Sequence, residues 1–367
     1  MKILSVVGTR PNFIKEVLVN RELKRRGVEE VLVHTGQHYD YEMSRVFFHE
    51  FNLPDPDHHL QVSTGLAGRQ TAEMITALET IMLSEKPDVT LVYGDVTSTL
   101  AGALASVRLG IPVAHVEAGV RTTARYNPEE INRRATDALS ELLLANAQDA
   151  YEALLGEVHL GAEIVLTGDI MKDVLLSTID EFNIPVSRGD YHVCTLHRAE
   201  SVDDADNLAQ IVRGLIGCGQ RVKFPIHPRT RKRLREFKLL DELEKCQSVE
   251  LSEPKGYLEF TRLLAGANKV ITDSGGVRRE AYILGKPSII TIDLTWFPCI
   301  LKAGWKCTAG PDAEKIIQAV RSFEPPPERP EFFGDGRAHV KILDAIENRF
   351  GGRSAKSRAS AEGKAAS

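Results

Sequence analysis

Two doubly wound α/β domains are predicted for this chain, and three features of the sequence lead to that prediction. Short runs rich in Val, Ile and Leu alternate with longer stretches of helical periodicity along most of the chain. These runs are continuously apolar, which is typical of parallel strands that helices cover on both faces of a sheet. The alternation restarts after a loop at 183–190 that contains Pro185, Ser187 and Gly189.

The first domain is predicted to span 1–180. Its first strand is followed by a helical stretch that Gly27 ends, since glycine readily takes the left-handed conformation that closes a helix. Its strands are predicted at 3–7, 30–34, 88–93, 113–116, 142–145 and 164–166.

The second domain is predicted to span 181–337, with the tail 351–367 disordered because it is rich in Gly, Ser, Ala and Lys without periodicity. Its strands are predicted at 192–196, 222–225, 249–251, 269–272 and 288–292. In doubly wound sheets ligands bind beyond the carboxyl ends of the strands, so we expect the ligand there, in a cleft between the two domains.

The composition excludes several classes of protein. With 43% hydrophobic and 26% charged residues and a net charge of -5, the chain has no overall bias towards nucleic acid or a membrane surface. Its five cysteines are widely spaced without a CxxC pair, so neither a disulfide framework nor a zinc knuckle is indicated. No signal-peptide or transmembrane pattern occurs, and we expect a cytoplasmic protein.

Two glycine turns are candidate anion sites. The segment Gly8-Thr9-Arg10-Pro11 follows the first strand and opens a helix; it offers backbone N–H groups and Arg10 to an anion, with Lys15 about one turn further on. It is not a GxGxxG fingerprint, so no dinucleotide is indicated, and a plain tight turn with a surface arginine is an equally good interpretation.

The second turn is Asp273-Ser274-Gly275-Gly276, between a strand and a helix. Ser274, Gly275 and Gly276 would let a phosphate approach the backbone, and Glu280 could accept hydrogen bonds from ribose hydroxyls.

Three acids are candidates for proton transfer. Asp95 follows one buried strand, Glu117 ends the next, and Glu129 begins the helix after it. Carboxylates that converge on one sheet edge repel each other, which we expect to raise at least one pKa as acid/base work requires. The alternatives are an N-cap role for Asp95 and a helix-dipole preference for Glu129 and Glu130.

A fourth segment combines His197, Arg198 and Glu200 at the end of the first strand of domain two, and His227 ends the next strand. His197 could titrate or donate to a phosphate, although a histidine on a strand is more often a core residue. No HxxxH or HxH cluster occurs, so a metal site is not expected.

These residues resemble the non-hydrolysing UDP-N-acetylglucosamine 2-epimerases over nearly the whole chain, up to the tail. The matching segments are GTRPNFIK (8–15), TGQHYD (35–40), GDVTSTLAG (94–102), HVEAGVRT (115–122), PEEINRR (128–134), TGD (167–169), HRAE (197–200), HPRTRK (227–232), TDSGGVRREA (272–281) and FGDGRA (333–338).

The resemblance implies a GT-B-like pair of Rossmann-like domains, a homodimer, a final helix (338–349) that packs back on domain one, and no metal or redox cofactor. It implies anti elimination of UDP to a 2-acetamidoglucal and re-addition of UDP after protonation on the other face. The implied roles are acid/base work for Asp95, Glu117 and Glu129, and assistance to the diphosphate by His197. Residues implied to bind the UDP-sugar are Arg10, Lys15, His197, Arg198, Ser274, Gly275, Gly276 and Glu280, and those implied for a second, activating UDP-sugar are Gln37, His38 and Arg69.

One departure from the family concerns the sugar. The stretch 292–299 lacks the arginine and glutamates usual there, while 303–305 is similar to relatives that act on UDP-2,3-diacetamido-2,3-dideoxy-glucuronate. That substrate is the main alternative, and Arg121 or Arg125 could meet its carboxylate. A GT-B glycosyltransferase, a hydrolysing epimerase and a catalytically weakened binding protein are less favoured, because the acids and HVEAG (115–119) are intact.

Overall fold

The computed structural model describes residues 1–37, 53–62, 65–122, 126–157, 161–293 and 297–365, with side chains described as far as 352. The chain forms two compact units, one of Met1–Val174 with Phe332–Ser367 and one of Leu175–Glu331. The first domain was predicted to end at 180, and the chain was predicted to rejoin it at 338. In the structure both boundaries lie six residues earlier, at 174 and 332. No helix in the described part of the chain is long and apolar enough to cross a membrane.

Unit 1 is built on a seven-stranded parallel sheet in the order β3-β2-β1-β4-β5-β6-β7. The strand order reverses between β1 and β4, and such a switch point is where doubly wound sheets bind ligands. The strands are β1 (Lys2–Val7), β2 (Glu29–His34), β3 (His58–His59), β4 (Val89–Tyr93), β5 (Val113–Ala118), β6 (Leu142–Ala145) and β7 (Glu163–Leu166). The first helices are α1 (Arg10–Arg26), α2 (Ala67–Glu85), α3 (Thr97–Arg108), α4 (Pro128–Leu139), α5 (Gln148–Leu155) and α6 (Ile170–Glu181).

Unit 2 has a six-stranded parallel sheet in the order β10-β9-β8-β11-β12-β13, with its own reversal between β8 and β11. The strands are β8 (His192–Thr195), β9 (Val222–Pro225), β10 (Val249–Ser252), β11 (Val270–Thr272), β12 (Ser288–Ile290) and β13 (Lys306–Thr308). The helices are α7 (Ala199–Val202), α8 (Ala205–Gly217), α9 (Pro228–Glu236), α10 (Leu240–Lys245), α11 (Tyr257–Ala265), α12 (Gly275–Ile283), α13 (Pro298–Lys302) and α14 (Ala313–Ser322).

The prediction of two doubly wound Rossmann-like domains is confirmed, because each unit has helices packed on a fully parallel sheet. Continuous apolar runs form the strands, and residues such as Leu4, Val92 and Ile271 are fully buried or nearly so. The sequence missed β3, which has two residues, and β13, whose three residues form no apolar run.

The last helix, α15 (Ala338–Ala365), belongs to unit 1 and packs on α1. Arg26 of α1 makes ion pairs with Asp344 (2.8 Å) and Glu347 (2.6 Å) of α15. The helix runs through most of 351–367, for which the sequence predicted disorder. The Ala, Lys, Arg and Glu residues of this segment have high helix propensity, which its Gly and Ser content had masked.

Glu22 on α1 should make the stability of the protein depend on pH. Hydrogen bonds from Arg25, opposed by burial and joined by those from Arg26, lower the pKa of Glu22 to about 2. A lowered pKa stabilises the fold above the unfolded-state pKa of roughly 4.3, and that contribution is lost as the pH falls towards 2. We expect Glu22→Gln to cost on the order of 1 to 2 kcal/mol at pH 7 and little at pH 2.

Urea unfolding at several pH values measures this difference. The matched control is Glu152→Gln, an exposed glutamate whose side chain accepts from Gln148 one turn earlier (2.9 Å). A pH-independent cost of Glu22→Gln would contradict the prediction.

Candidate active site

The loops after β1, β4 and β5 lie together at the carboxyl edge of the unit 1 sheet, around its switch point. Asn12 fixes two of them, since its Oδ1 accepts from the backbone N–H groups of Gly8 and Thr9 (3.3 Å each) and its Nδ2 donates to Tyr93 O (3.2 Å). A Cβ on Gly8 would lie 1.9 Å from Ser98 Oγ, so only glycine lets the first loop approach the start of α3 this closely. Arg10 is exposed in the same loop.

Glu117 is held in an uncommon backbone conformation at the end of β5. Its φ is 73°, in the left-handed region, and the pairing of β5 with β6 shifts register between Val116 and Ala118. Such an irregularity turns a side chain away from the regular direction of its strand, and a non-glycine residue there costs about 1 to 3 kcal/mol. Strain of this kind concentrates at functional sites because the surrounding structure must maintain it.

Lys15, which the sequence predicts to bind the UDP-sugar, contacts Glu117 in the structure. Its Nζ forms an ion pair with Glu117 Oε2, and its side chain is only 6% exposed, against 16% for Glu117. Asn146 Nδ2 is 3.5 Å from the other oxygen of Glu117. A buried carboxylate needs such partners, because an isolated buried charge is costly.

Asp95 follows β4, the neighbour of β5, so the two acids come from adjacent strands as predicted. Its carboxylate is paired with Arg133 of α4, and Asn132 donates to its backbone oxygen (2.9 Å). The N-cap of α3 is Val96, which excludes the alternative interpretation of Asp95 as a cap.

The third predicted acid, Glu129, is exposed in the first turn of α4, where its N–H donates to the N-cap Asn127 (2.9 Å). Its neighbour Glu130 is buried and accepts from Arg133 (2.7 Å) and Arg134 (2.7 Å). The sequence analysis expected the three carboxylates to repel each other. In the structure two of them are paired with cations, Glu117 with Lys15 and Asp95 with Arg133.

A buried histidine–aspartate pair that the sequence reasoning missed lies behind these loops. His115 Nδ1 is 2.6 Å from Asp137 Oδ1, and His115 Nε2 is 2.7 Å from the carbonyl oxygen of Gly94. Burial opposes ionisation of Asp137, but His115 and Arg121 outweigh it and lower the pKa of this carboxyl. The helical spacing of Glu130, Arg133 and Asp137 on α4 could have revealed the pair, since i, i+3, i+7 places them on one face.

In unit 2 the loops after β8 and β11 meet at the second switch point. Asp273, which is fully buried, accepts from the backbone N–H groups of His197 and Arg198 (2.9 Å each), and its Oδ1 is 3.2 Å from His197 Nδ1. Burial acts to raise the pKa of Asp273, but the bonds to His197 and Arg198 lower it overall. Asp273 was missed from the sequence, although an acid directly after a buried strand is the signal that also indicates Asp95.

The glycine turn of unit 2 opens α12 as predicted. Ser274 is its N-cap and accepts from Val277 N (3.4 Å), and a Cβ on Gly276 would meet nothing closer than 4.0 Å. Glu280 is buried on this helix, and Arg278 is fully buried, where burial lowers the pKa of its guanidinium to about 10.

The second histidine predicted at this edge also lies there. His227 is the N-cap of α9, and its ring centroid is 5.7 Å from that of His197. Burial, followed by the effect of His197, lowers the pKa of His227. Within the described residues no group of three or more His, Cys, Asp or Glu side chains is arranged to hold a metal ion.

Of the three residues predicted to bind a second UDP-sugar, the structure describes Gln37 and Arg69. Gln37 Oε1 accepts from Ser98 N (2.9 Å) and Ser98 Oγ (2.7 Å), which joins it to the loop of Asp95. Arg69 is exposed at the start of α2, and His38 lies outside the described residues.

Comparisons with known proteins agree on one family. The family model "UDP-N-acetylglucosamine 2-epimerase" matches residues 21–347. A UDP-N-acetylglucosamine 2-epimerase homolog of Methanococcus maripaludis is 42% identical over 95% of this chain and 100% of its own length. The UDP-2,3-diacetamido-2,3-dideoxy-D-glucuronate 2-epimerase of Pseudomonas aeruginosa is 37% identical over 94% of this chain and 99% of its own.

A solved structure gives the same result. The crystal structure of Methanocaldococcus jannaschii UDP-GlcNAc 2-epimerase in complex with UDP-GlcNAc and UDP superposes with a TM-score of 0.84 at 38% identity. The superposition covers 95% of the present chain and 100% of the chain in the Methanocaldococcus jannaschii structure.

Proposed function

The chain belongs to the UDP-N-acetylglucosamine 2-epimerase family of isomerases, and we propose that it interconverts UDP-N-acetylglucosamine and UDP-N-acetylmannosamine. The observation that carries the proposal is the position of Glu117, held at a strained end of β5 by Lys15, beside the loop of Asp95. Paired carboxylates at adjacent strand ends suit a reaction that removes a proton from one face of a carbon and returns one to the other.

In the proposed mechanism the C2 proton passes to a carboxylate, and its bonding electrons form a C1=C2 double bond. The bond from C1 to the diphosphate oxygen breaks at the same time, which gives UDP and a 2-acetamidoglucal. Protonation of C2 on the opposite face and attack of the UDP oxygen on C1 complete the inversion. Asp95 and Glu117 are the proposed proton-transfer pair, and Glu129 is an additional candidate.

Unit 2 supplies the residues proposed to stabilise the leaving diphosphate. Asp273 orients His197 and the backbone of Arg198, and the backbone N–H groups at the start of α12 attract anions. Donors fixed before the reaction stabilise the charge that develops on the diphosphate without a cost of reorganisation.

The diacetamido uronate is the second candidate substrate, because the Pseudomonas aeruginosa relative with that name is 37% identical. Arg121, one of two cations considered for its carboxylate, is engaged with Asp137 (2.7 Å) and Glu157 (2.6 Å). Arg125 lies outside the described residues.

Incubation with each UDP-sugar in D2O, followed by NMR, tests the proposal. We expect deuterium at C2 of UDP-N-acetylglucosamine together with the appearance of UDP-N-acetylmannosamine. Exchange only in the diacetamido uronate would assign the second substrate. Free N-acetylmannosamine in place of the nucleotide sugar would indicate a hydrolysing enzyme, and no exchange in either sugar would refute the proposal.

A further inference from the structure

The buried pair of His115 and Asp137 does more than fill the interior of unit 1. Its hydrogen bonds end on two glycine turns, because His115 Nε2 reaches Gly94 O (2.7 Å) and Asp137 Oδ2 accepts from Gly119 N (3.1 Å). Gly94 immediately precedes Asp95, and Gly119 lies two residues after Glu117. One pair of side chains thus connects the backbone turns on which both proposed proton-transfer acids lie.

Both ring nitrogens of His115 lie within hydrogen-bond distance of an oxygen atom: Nε2 of Gly94 O and Nδ1 of Asp137 Oδ1. Arg121 Nη1, 2.7 Å from Asp137 Oδ2, completes the hydrogen bonding of the carboxylate.

The same pair belongs to a network of charged and polar side chains in which each member contacts the next. Contacts between arginines and acids connect Asp95 through α4 to Asp137, and His115 then joins Asp137 to the carbonyl oxygen of Gly94, beside Asp95. The members in order are Asp95, Arg133, Glu130, Arg134, Glu157, Arg121, Asp137 and His115. Arg134 is the most exposed of these members and contributes little, because solvent screens its charge.

The site has three residues with a left-handed backbone conformation, Gly94 (φ 64°), Glu117 (φ 73°) and Gly119 (φ 82°). The two glycines adopt it readily, whereas Glu117, which lies between their turns, is strained. A strained turn persists only where its surroundings over-determine it. His115 and Asp137 provide fixed partners for two of the three turns, and neither side chain is more than 1% exposed.

From these contacts we propose that His115 and Asp137 are positioning residues, which hold the turns of Asp95 and Glu117 in the arrangement needed for proton transfer. This inference rests on the proposed epimerase function for its effect on turnover. A displacement of about 1 Å in a catalytic group can cost about 10²-fold in rate, so weakening this pair should lower turnover without weakening the binding of UDP.

The test compares Asp137→Asn with Asp173→Asn in the full chain. Asp173 is an equally buried aspartate of unit 1, 2.7 Å from His339 Nδ1, and its side chain makes no bond to either glycine turn among the described contacts. The measurements are kcat and KM for UDP-N-acetylglucosamine, the Kd of UDP, thermal stability, and hydrogen exchange of peptides that contain Gly94 and Gly119.

We expect Asp137→Asn to accelerate exchange in both peptides and to lower kcat by about 10²-fold, with KM and the Kd of UDP changed less than threefold, by rough estimate. Asp173→Asn should lower stability and leave kcat and both peptides unchanged. A purely structural role would lower the stability of both variants alike without a selective loss of kcat.

If Asp137→Asn does not fold, Arg121→Lys is the variant that tests the proposal. It keeps the positive charge beside Asp137 but loses the bidentate hydrogen bonds to Glu157. Faster exchange at Gly119 with unchanged kcat would overturn the proposal, and so would unchanged exchange with reduced kcat. A wild-type protein inactive on every UDP-sugar would refute the epimerase function, whereas the exchange measurement would still test the contacts of Asp137.

Discussion

Replacement of Glu117 by glutamine is expected to lower deuterium exchange at C2 of UDP-N-acetylglucosamine by about 10²- to 10⁴-fold, the usual contribution of a positioned acid or base. Glutamine keeps the size and the hydrogen-bonding capacity of the side chain but cannot take up a proton. It also leaves the Lys15 ammonium without its anionic partner in a buried position. Exchange followed by NMR gives the rate, and calorimetry with UDP should show little change in affinity.

Glu85→Gln is the matched control for this prediction. Glu85 also pairs with a lysine of unit 1, Lys2 (3.2 Å), but it lies just before β4, at the edge where the strands begin. It should change the exchange rate less than twofold, by rough estimate. Normal exchange in Glu117→Gln would remove Glu117 from the mechanism.

The fold class could be predicted from local patterns. The strands of a buried parallel sheet are continuous apolar runs, and the helices between them indicate that the strands are parallel. The same rule located Asp95 and Glu117 at neighbouring strand ends. What these acids contact could not be predicted in the same way. Lys15 lies 102 residues before its partner Glu117, and no local pattern indicates which carboxylate a lysine on an inward helix face will meet.

The backbone contacts were missed for a related reason. Asp137 and Asp273 act mainly on backbone N–H groups and on histidines from other elements, and backbone groups carry no signal in the sequence. Glu117 was predicted from its residue type, but its left-handed backbone was not, because glutamate has no preference for that conformation.

Asp273→Asn is expected to produce the largest loss of stability among these variants, about 3 to 5 kcal/mol, which is typical when one partner of a buried charged network is removed. Asp273 is fully buried; its Oδ2 accepts two backbone N–H groups, and its Oδ1 lies 3.2 Å from His197 Nδ1. The NH2 group of an asparagine would have to replace one of these two oxygens. The affinity for UDP should fall as well, because the backbone of His197 and Arg198 loses its anchor.

The pH dependence of this loss separates charge from packing. Since the pKa of Asp273 is lowered in the folded protein, its ionisation stabilises the fold above the unfolded-state pKa of roughly 3.9, and this contribution disappears as the pH falls. The gap between wild type and Asp273→Asn in urea unfolding should therefore be wide at pH 7 and narrow in acid. Asp312→Asn removes the charge of an exposed N-cap on α14 (3.1 Å to Lys315 N) and should change the stability far less, because asparagine also caps helices well. A gap that stays constant with pH would show that Asp273 contributes through packing alone, and the orientation of His197 would then need another explanation.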